Sequence, residues 1–412
     1  MQALHQKVNM NRIIEHIEQL ALCSRTTRGV TRFSFTKEME AAYDLIYKWM
    51  LDAGMTVRRD EINNIIGRYE GTQSDAPVLL IGSHLDSVLE GGKYDGALGV
   101  LAGIEVVQTL FENNIRPKHP IEVIGFCDEE GARFHTTFLG SKALAGTLQE
   151  QDLQAKDEAG ITIAEAMTEI GLNPAHYTLT ARDPNTVYGY IELHIEQGPV
   201  LEQQDQACGV VLGIVGTARY EFRIEGLTNH AGTVPMNIRK DALTGAAEMI
   251  QAIETIVLQY ESVVATVGKL SIFPGVSNVI PGIVEGTLDI RSINDEKKVA
   301  ALHQIIQTCH SICHRRGLRC EFTTIMESGA TVCSKRFIPM IESALMSHGM
   351  KPIHMISGAG HDAMTIADLT KMGMIFVRCK EGLSHHPDEY VAPEDIKAGV
   401  FVLLDVTLQL AL

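Results

Sequence analysis

The run Val78-Leu79-Leu80-Ile81 passes through Gly82-Ser83 into His84-Leu85-Asp86, and this stretch limits the possible folds of the chain more than any other. A short apolar run bounded by glycine reads as a strand buried on both faces, of the kind found in parallel sheets covered by helices. Such a strand delivers His84 and Asp86 to the edge of a core, where imidazole and carboxylate need something to neutralise and order them. A metal ion does both. Asp95 follows within Gly91-Gly92-Lys93-Tyr94-Asp95-Gly96, and then a helical pattern carries Val100, Ile104, Val107 and Leu110.

A second apolar strand, residues 121–126, ends at Cys127-Asp128-Glu129-Glu130-Gly131. Strand, helix and strand form a βαβ unit with a site at the carboxyl ends of its strands. A third strand, 187–193, ends in His194, and the turn Gly382-Leu383-Ser384-His385-His386-Pro387 follows a fourth at 374–378. Five candidate ligands therefore stand at strand ends or in loops: His84, Asp95, Glu130, His194 and His385. Mixed imidazole and carboxylate ligation suits zinc, manganese or cobalt. Asp95, between Gly92 and Gly96, sits where one carboxylate could bridge two ions. Two ions about 3.5–4 Å apart can activate water and polarise a carbonyl. Asp86, two residues from His84, shares its strand face and can orient the imidazole through its other nitrogen. Of the adjacent pair Glu129 and Glu130, one can ligate while the other works as general base. A single histidine at a strand end is more often structural, and Glu-Glu pairs are usually surface charge. The weight shifts here because several independent strands end in such groups beside glycine.

Elsewhere, 6–22 has the pattern of a helix, Thr36 can cap another bearing Met39, Tyr43, Ile46 and Met50, and 149–185 reads as a polar helical excursion. From about Gly209 the texture changes. Tyr220, Phe222 and Ile224 alternate with charged residues, and a helix (239–258), strands (263–272, 284–290), a helix (295–317) and a strand (318–326) follow. Strand-helix-strand-strand-helix-strand suits a small antiparallel sheet with two helices. The expected class is therefore α/β. A mixed-sheet domain carrying the metal-type residues, 1–211 and 328–412, would hold an inserted α+β ferredoxin-like domain at 212–327. Within that insert, Cys309-His310-Ser311-Ile312-Cys313-His314 has residues of zinc-ligand type. It lies in a helix pattern, where neighbouring residues point about 100° apart, so the four cannot easily converge. Buried cysteines and partly exposed histidines are expected there instead.

The net charge of −16 argues against nucleic acid or anionic membrane as a partner. No apolar run approaches a membrane span, and the first dozen residues lack an apolar core of signal-peptide length. The eight cysteines are scattered without a Cys-x-x-Cys pair. A reduced cytoplasmic protein is expected.

Read in order, the motifs Gly-Ser-His-Leu-Asp-Ser, Gly-Gly-Lys-Tyr-Asp-Gly, Asp-Glu-Glu-Gly-Ala-Arg-Phe, Glu-Leu-His-Ile-Glu-Gln-Gly, Asn-His-Ala-Gly-Thr-Val-Pro-Met, Ser-Gly-Ala-Gly-His-Asp-Ala and Leu-Ser-His-His-Pro span nearly the whole chain. Together they resemble the amidase and carbamoylase branch of the dinuclear metallopeptidase family that includes carboxypeptidase G2 and acetylornithine deacetylase. The resemblance implies that the mixed-sheet domain is a metallohydrolase catalytic domain, with two divalent ions per subunit, manganese or zinc with cobalt as a third choice, bridged by Asp95. It implies that His84 and His194 complete one site, and Glu130 and His385 the other. Glu129 would activate the water, and Asp86 would hold His84. The family pattern ends in Ser-His-Asn-Pro or similar, where this chain has His386.

The insert resembles the family's lid and dimerisation domain, which implies a homodimer. His230 would reach the active site, in relatives from the partner subunit, and stabilise the oxyanion. Asn278 and Arg291 match positions that hold a substrate carboxylate, and Gln197 would contact substrate or set ligand geometry. The branch contains allantoate amidohydrolases, N-carbamoyl-L-amino-acid hydrolases and β-ureidopropionases, all cleaving a ureido group beside a carboxylate. Arg219, in Ile-Val-Gly-Thr-Ala-Arg-Tyr, and Gly360, in Ser-Gly-Ala-Gly-His-Asp, lean towards allantoate. A guanidinium and a small turn residue would accommodate its second ureido arm. The other ureido substrates are the alternative, ahead of a peptidase or a non-catalytic binder.

Overall fold

The structure is a computed structural model that describes residues 2–73 and 75–411. It divides into two compact units, Met1–Leu212 with Cys333–Leu412, and Gly213–Val332.

The first unit is built on a mixed sheet with the strand order Thr56–Arg59, Ile65–Tyr69, Ile121–Phe126, Val78–His84, Val187–Ile195, Met372–Val377, Cys208–Ile214. The four strands from Ile121–Phe126 to Met372–Val377 are mutually parallel. Those flanking them run antiparallel. Every residue of Val78–His84, Ile121–Phe126 and Met372–Val377 is buried, as the unbroken apolar runs require. The helix Ala97–Glu112 packs on the first two of these strands and on Val187–Ile195. It is buried from Ala97 through Leu110, the condition of a helix that is apolar all round. Pro393–Ala411 packs against that helix in turn, and Leu139–Ala145 and Asp362–Ile366 also lie against the sheet. The Thr36 hydroxyl caps Lys37–Asp52 by accepting the Met39 N–H. The stretch after Leu148 forms short helices, among them Glu150–Gln154, Ile163–Glu169 and Pro174–Thr180, around Leu153, Ile163 and Met167. Because four neighbouring strands point the same way, their carboxyl ends share one edge. That edge carries the motif residues.

The second unit is an antiparallel sheet ordered Leu270–Phe273, Ile283–Ser292, Gly216–Glu225, Arg319–Glu327, with Val263–Thr266 also paired to Ile283–Ser292. Helices Ala242–Val257 and Asp295–Arg316 share its apolar core. This is a ferredoxin-like order. The strand expected over 263–272 is broken. Its two halves pair with different parts of one partner, while the Lys269 carbonyl accepts the Thr287 N–H between them. In Asp295–Arg316, Cys309 and Cys313 are buried, and His310 and His314 are exposed. Among the described residues no helix is long and apolar enough to cross a membrane.

Candidate metal centre

The strand Val78–His84 ends on His84, and its parallel neighbours deliver His194 and the loop Asp128–Glu130 beside it. Asp95 enters from the turn before Ala97–Glu112. That turn needs Gly96: its φ is +64°, and a Cβ there would lie 2.4 Å from the His84 ring. His385 comes from the loop beyond Met372–Val377. Asp128, Gln197 and His385 all have positive φ, and three non-glycine residues in this region at one site mark backbone held in place by its surroundings.

The donor atoms fall into two groups that share Asp95. His84, Asp95 and His194 form one, and Asp95, Glu130 and His385 form the other, with donors in each group within 4.8 Å. Asp95 Oδ1 lies 3.1 Å from His194 Nε2 and 3.6 Å from His84 Nε2. Asp95 Oδ2 lies 3.3 Å from His385 Nε2, which is 3.5 Å from Glu130 Oε1. The Nδ1 atoms of His84 and His194 face the carbonyls of Asp86 and Ile195 at 3.0 and 2.9 Å. A carbonyl can only accept, so each Nδ1 carries a proton, which leaves Nε2 as the ring atom turned towards Asp95 for a cation to take. Among the described residues, Asp95 Oδ1 and His194 Nε2 are buried without completing a hydrogen bond. Imidazole nitrogens and carboxylate oxygens converging at this spacing are what a cation site requires, and this ligand set fits zinc, manganese or cobalt.

Electrostatics follow from burial and crowding. Burial alone would lower His84, but Glu129, Asp95 and Asp86 outweigh it and raise its pKa well above the usual imidazole range. Asp95 is held well below the carboxylate range by His194, His385 and His84, against its burial. Burial, reinforced by Glu130, Asp362 and Asp86, lifts Glu129 well above its ordinary value, with His84 opposing. Burial and Asp95 raise Glu130 to about 7, and the contact with Asp95 raises His385 to about 9. A cluster that draws protons onto its histidines will equally draw divalent cations.

Asp86 behaves differently from the sequence expectation. Its carboxylate lies 3.8 Å from His84 Nδ1, while its backbone carbonyl takes that contact. The two oxygens instead accept the N–H groups of Glu129 and Glu130 at 3.1 and 3.0 Å, so Asp86 fixes the acidic loop. The strand ends at His84, and side-chain alternation does not extend beyond it. Gln197 Nε2 donates to Asp95 Oδ2 and Ser384 Oγ, which places it on ligand geometry.

The remaining candidates lie in the second unit. His230 pairs with Val279 across a two-stranded ribbon, and the Asn278 carbonyl accepts the Ala231 N–H. His230 is exposed, and its Nδ1 accepts the Gly232 N–H, which leaves Nε2 as the ring nitrogen that carries a proton. Arg219 and Arg291 converge on Asp289: Arg219 Nη2 at 2.9 Å from Oδ2, Arg291 Nε at 2.7 Å from Oδ1. Gly360 does not leave open space, because a Cβ there would meet the Phe138 ring at 2.6 Å.

Sequence reasoning missed three groups. Glu389 accepts the N–H groups of Tyr94 and Asp95 and the Ser384 hydroxyl, tying both sides of Asp95 together. Glu192 accepts from Ser83, Tyr190 and the Ala363 N–H beneath His194. Its spacing of two from His194 on a strand was the available signal. His361 lies edge-on to His194 at 4.4 Å and pairs with Ser357.

Residues 80–409 match the family model for peptidase family M20/M25/M40. The chain is 44% identical over 383 residues to an N-carbamoyl-L-amino acid amidohydrolase of Geobacillus stearothermophilus, covering 93% of this chain and 94% of that protein. It is 38% identical over 434 residues to an allantoate deiminase of Arabidopsis thaliana, covering 98% and 82%. The crystal structure of an amidase of the hydantoinase/carbamoylase family from Burkholderia multivorans is similar with a TM-score of 0.92 and 34% identity, covering 98% of both chains.

Proposed function

The chain belongs to peptidase family M20/M25/M40, and on that premise we propose that it is a metal-dependent amidohydrolase cleaving a ureido C–N bond beside a carboxylate, with allantoate as its substrate. The observation that carries this reading is the pair of donor groups meeting at Asp95, with Glu129 beside them. His84 and His194 would hold one divalent ion, Glu130 and His385 the other, and Asp95 both, with manganese or zinc preferred and cobalt tolerated. Such ions, when bound, supply an activated water and polarise the ureido carbonyl.

The protein's own groups do the rest. Glu129 takes the proton of the attacking water and returns it to the leaving nitrogen. Its raised pKa reflects burial and the carboxylates crowded around it, and cations beside it would lower it and favour the ionised form that a base needs. Asp86 keeps Glu129 aimed by holding its backbone. His230, with its proton on Nε2, acts as donor to the oxyanion, a contribution of about 2.7–4 kcal/mol for a well-placed group. Asn278 and Arg291 bind the carboxylate, and Arg219 binds the second ureido arm. Two guanidinium groups on one Asp289 leave a net positive surface, which supports an anionic substrate. Allantoate and one water would give ureidoglycine, ammonia and carbon dioxide.

The second unit exposes Leu227, Met236, Ile238, Phe273 and Val276, which supports its use as a homodimer surface. The eight free thiols support a reducing, cytoplasmic setting.

A second reading, N-carbamoyl-L-amino acid hydrolysis, is favoured by the 44% identity to such an enzyme and by the Asp289 contacts of Arg219. A panel of allantoate, N-carbamoyl-L-amino acids and ureidopropionate, each with Mn²⁺ and Zn²⁺, separates the two. The expected result is the highest kcat/KM on allantoate. A higher value on an N-carbamoyl amino acid replaces the substrate, and no hydrolysis of any of them overturns the reading.

A further inference from the structure

Three helical segments of the first unit meet at another group of metal-type donors. His5 closes the helix Gln2–His5, His348 follows the helix Phe337–Ser347, and Asp405 lies in Pro393–Ala411. His5 Nε2 is 2.8 Å from Asp405 Oδ1, and His348 Nε2 is 2.9 Å from Asp405 Oδ2. Donor atoms of all three lie within 4.8 Å of one another, and the two imidazoles meet edge-on with centroids 4.6 Å apart. We propose that this trio binds a divalent transition metal of zinc type, additional to the ions at Asp95, and that the ion clasps the N-terminal helix to the helical layer.

Charge is the first argument. Asp405 and Asp395 are both buried carboxylates of one helix. Arg378 neutralises Asp395 through two bonds of 2.9 Å. The ion pairs of Asp405 among the described residues are with His5 and His348, and an imidazole offers a full charge only when protonated. A divalent ion gives the buried carboxylate a permanent counter-charge.

Donor chemistry is the second. Two imidazole nitrogens and a carboxylate are a common zinc set, with a water or hydroxyl as fourth ligand. Ser347 Oγ stands 3.3 Å from Asp405 Oδ2, on the same side. Tetrahedral ligands at about 2.0–2.2 Å from an ion lie roughly 3.3 Å apart; here the imidazole–carboxylate contacts are 2.8 and 2.9 Å, and donor atoms of all three residues lie within 4.8 Å of one another. Phe401 flanks both rings, giving the site an apolar wall. The His348 side chain retains 17% of its exposure, so the cluster is reachable from solvent.

The test counts metal in the full-length protein. Wild type, His5→Gln and His348→Gln are equilibrated with Zn²⁺, and bound zinc per chain is measured with the zinc-dependent rise in Tm. Each variant is expected to bind one zinc fewer and to show a smaller rise. The donors around Asp95 are untouched, so the difference does not depend on how many ions bind there or on the reaction catalysed. Equal zinc content and equal Tm shifts would overturn the proposal and leave a hydrogen-bonded clasp. A second measurement needs no variant: carbethoxylation of His348 in wild type, mapped by mass spectrometry, should slow several-fold with Zn²⁺. An unchanged rate there also overturns it.

Discussion

Asp95 Oδ1 and His194 Nε2 face each other at 3.1 Å in the core of the first unit, and among the described residues neither completes a hydrogen bond. Burying polar atoms without partners costs about 1–3 kcal/mol each, which a cation between them would reverse. Asp95 is also the member common to both donor groups, so its loss should be felt at both. Asp95→Asn is expected to retain at most one ion per chain and to lose activity by about 1,000-fold, the scale of several kcal/mol of lost Lewis acidity. His194→Ala should lose one ion only. Elemental analysis beside a turnover assay reads both, and two ions retained in Asp95→Asn would refute a shared ligand.

Glu129 separates binding from chemistry. It belongs with no Asp95-containing donor group, and its backbone is held by Asp86 whatever its side chain. Glu129→Gln preserves shape and removes proton transfer. Metal content should stay at the wild-type value while kcat falls by about 10²–10⁴-fold. Unaltered kcat would remove Glu129 from its role as base.

Glu389 and Gly92 form one device. Glu389 is buried and accepts two backbone N–H groups of the Asp95 turn. A Cβ on Gly92 would fall 2.0 Å from the Glu389 carboxyl carbon, so the carboxylate reaches the turn only because residue 92 is glycine. Glu389→Ala should destabilise the fold by about 1–3 kcal/mol for each donor left unpaired, and weaken metal binding. Gly92→Ala should do the same by displacing Glu389, and the double variant should cost little more than either alone. Urea unfolding with metal titration tests this, and additive losses would mean the two act separately.

His84, Glu130 and His194 could be read in sequence because each stands at or just past the end of an apolar run, such as Val78-Leu79-Leu80-Ile81 or the strand Ile121–Phe126, while Asp95 and His385 stood out in glycine-marked turns. Glu389 could not. It stands in His-His-Pro-Asp-Glu, which reads as solvated charge, and its role arises from a contact with a turn 294 residues earlier in the chain. Asp86 reaches His84 by a route that strand alternation does not show, through its backbone carbonyl, because it lies past the end of the strand and its carboxylate turns to the Glu129 and Glu130 N–H groups. The break after Thr266 was hidden because both halves of the segment keep strand-type residues, and the interruption lies in how they register against Ile283–Ser292. Local pattern locates groups, while tertiary contact assigns them.

Arg219 bears on substrate choice. Asp289 holds both Arg219 and Arg291, so neither guanidinium starts unpaired. If Arg219 takes the second ureido arm, Arg219→Ala should raise KM for allantoate by about 10–100-fold, the scale of a charged hydrogen bond. KM for N-carbamoyl amino acids, which lack that arm, should move by much less. Equal shifts on both substrates would reduce Arg219 to a partner of Asp289.

His16 and Trp49 give the fold a pH signal that does not involve the metal residues. Their rings stack 3.9 Å apart with planes 12° from parallel, and Trp49 is the single tryptophan of the chain. Burial, helped by Arg12, lowers His16 from 6.5 to about 4, with Asp52 opposing. As pH falls, the unfolded chain therefore takes up this proton first. The stability contributed by neutral His16 is complete above about 6.5 and is lost as pH drops towards about 4. A protonated imidazole stacked on indole quenches its emission, so Trp49 fluorescence should titrate with a midpoint near 4. In His16→Leu that transition should vanish, and the fall in urea midpoint between these pH values should flatten. A fluorescence midpoint near 6.5 would show that His16 is solvated like a free imidazole and that the stack does not hold it neutral.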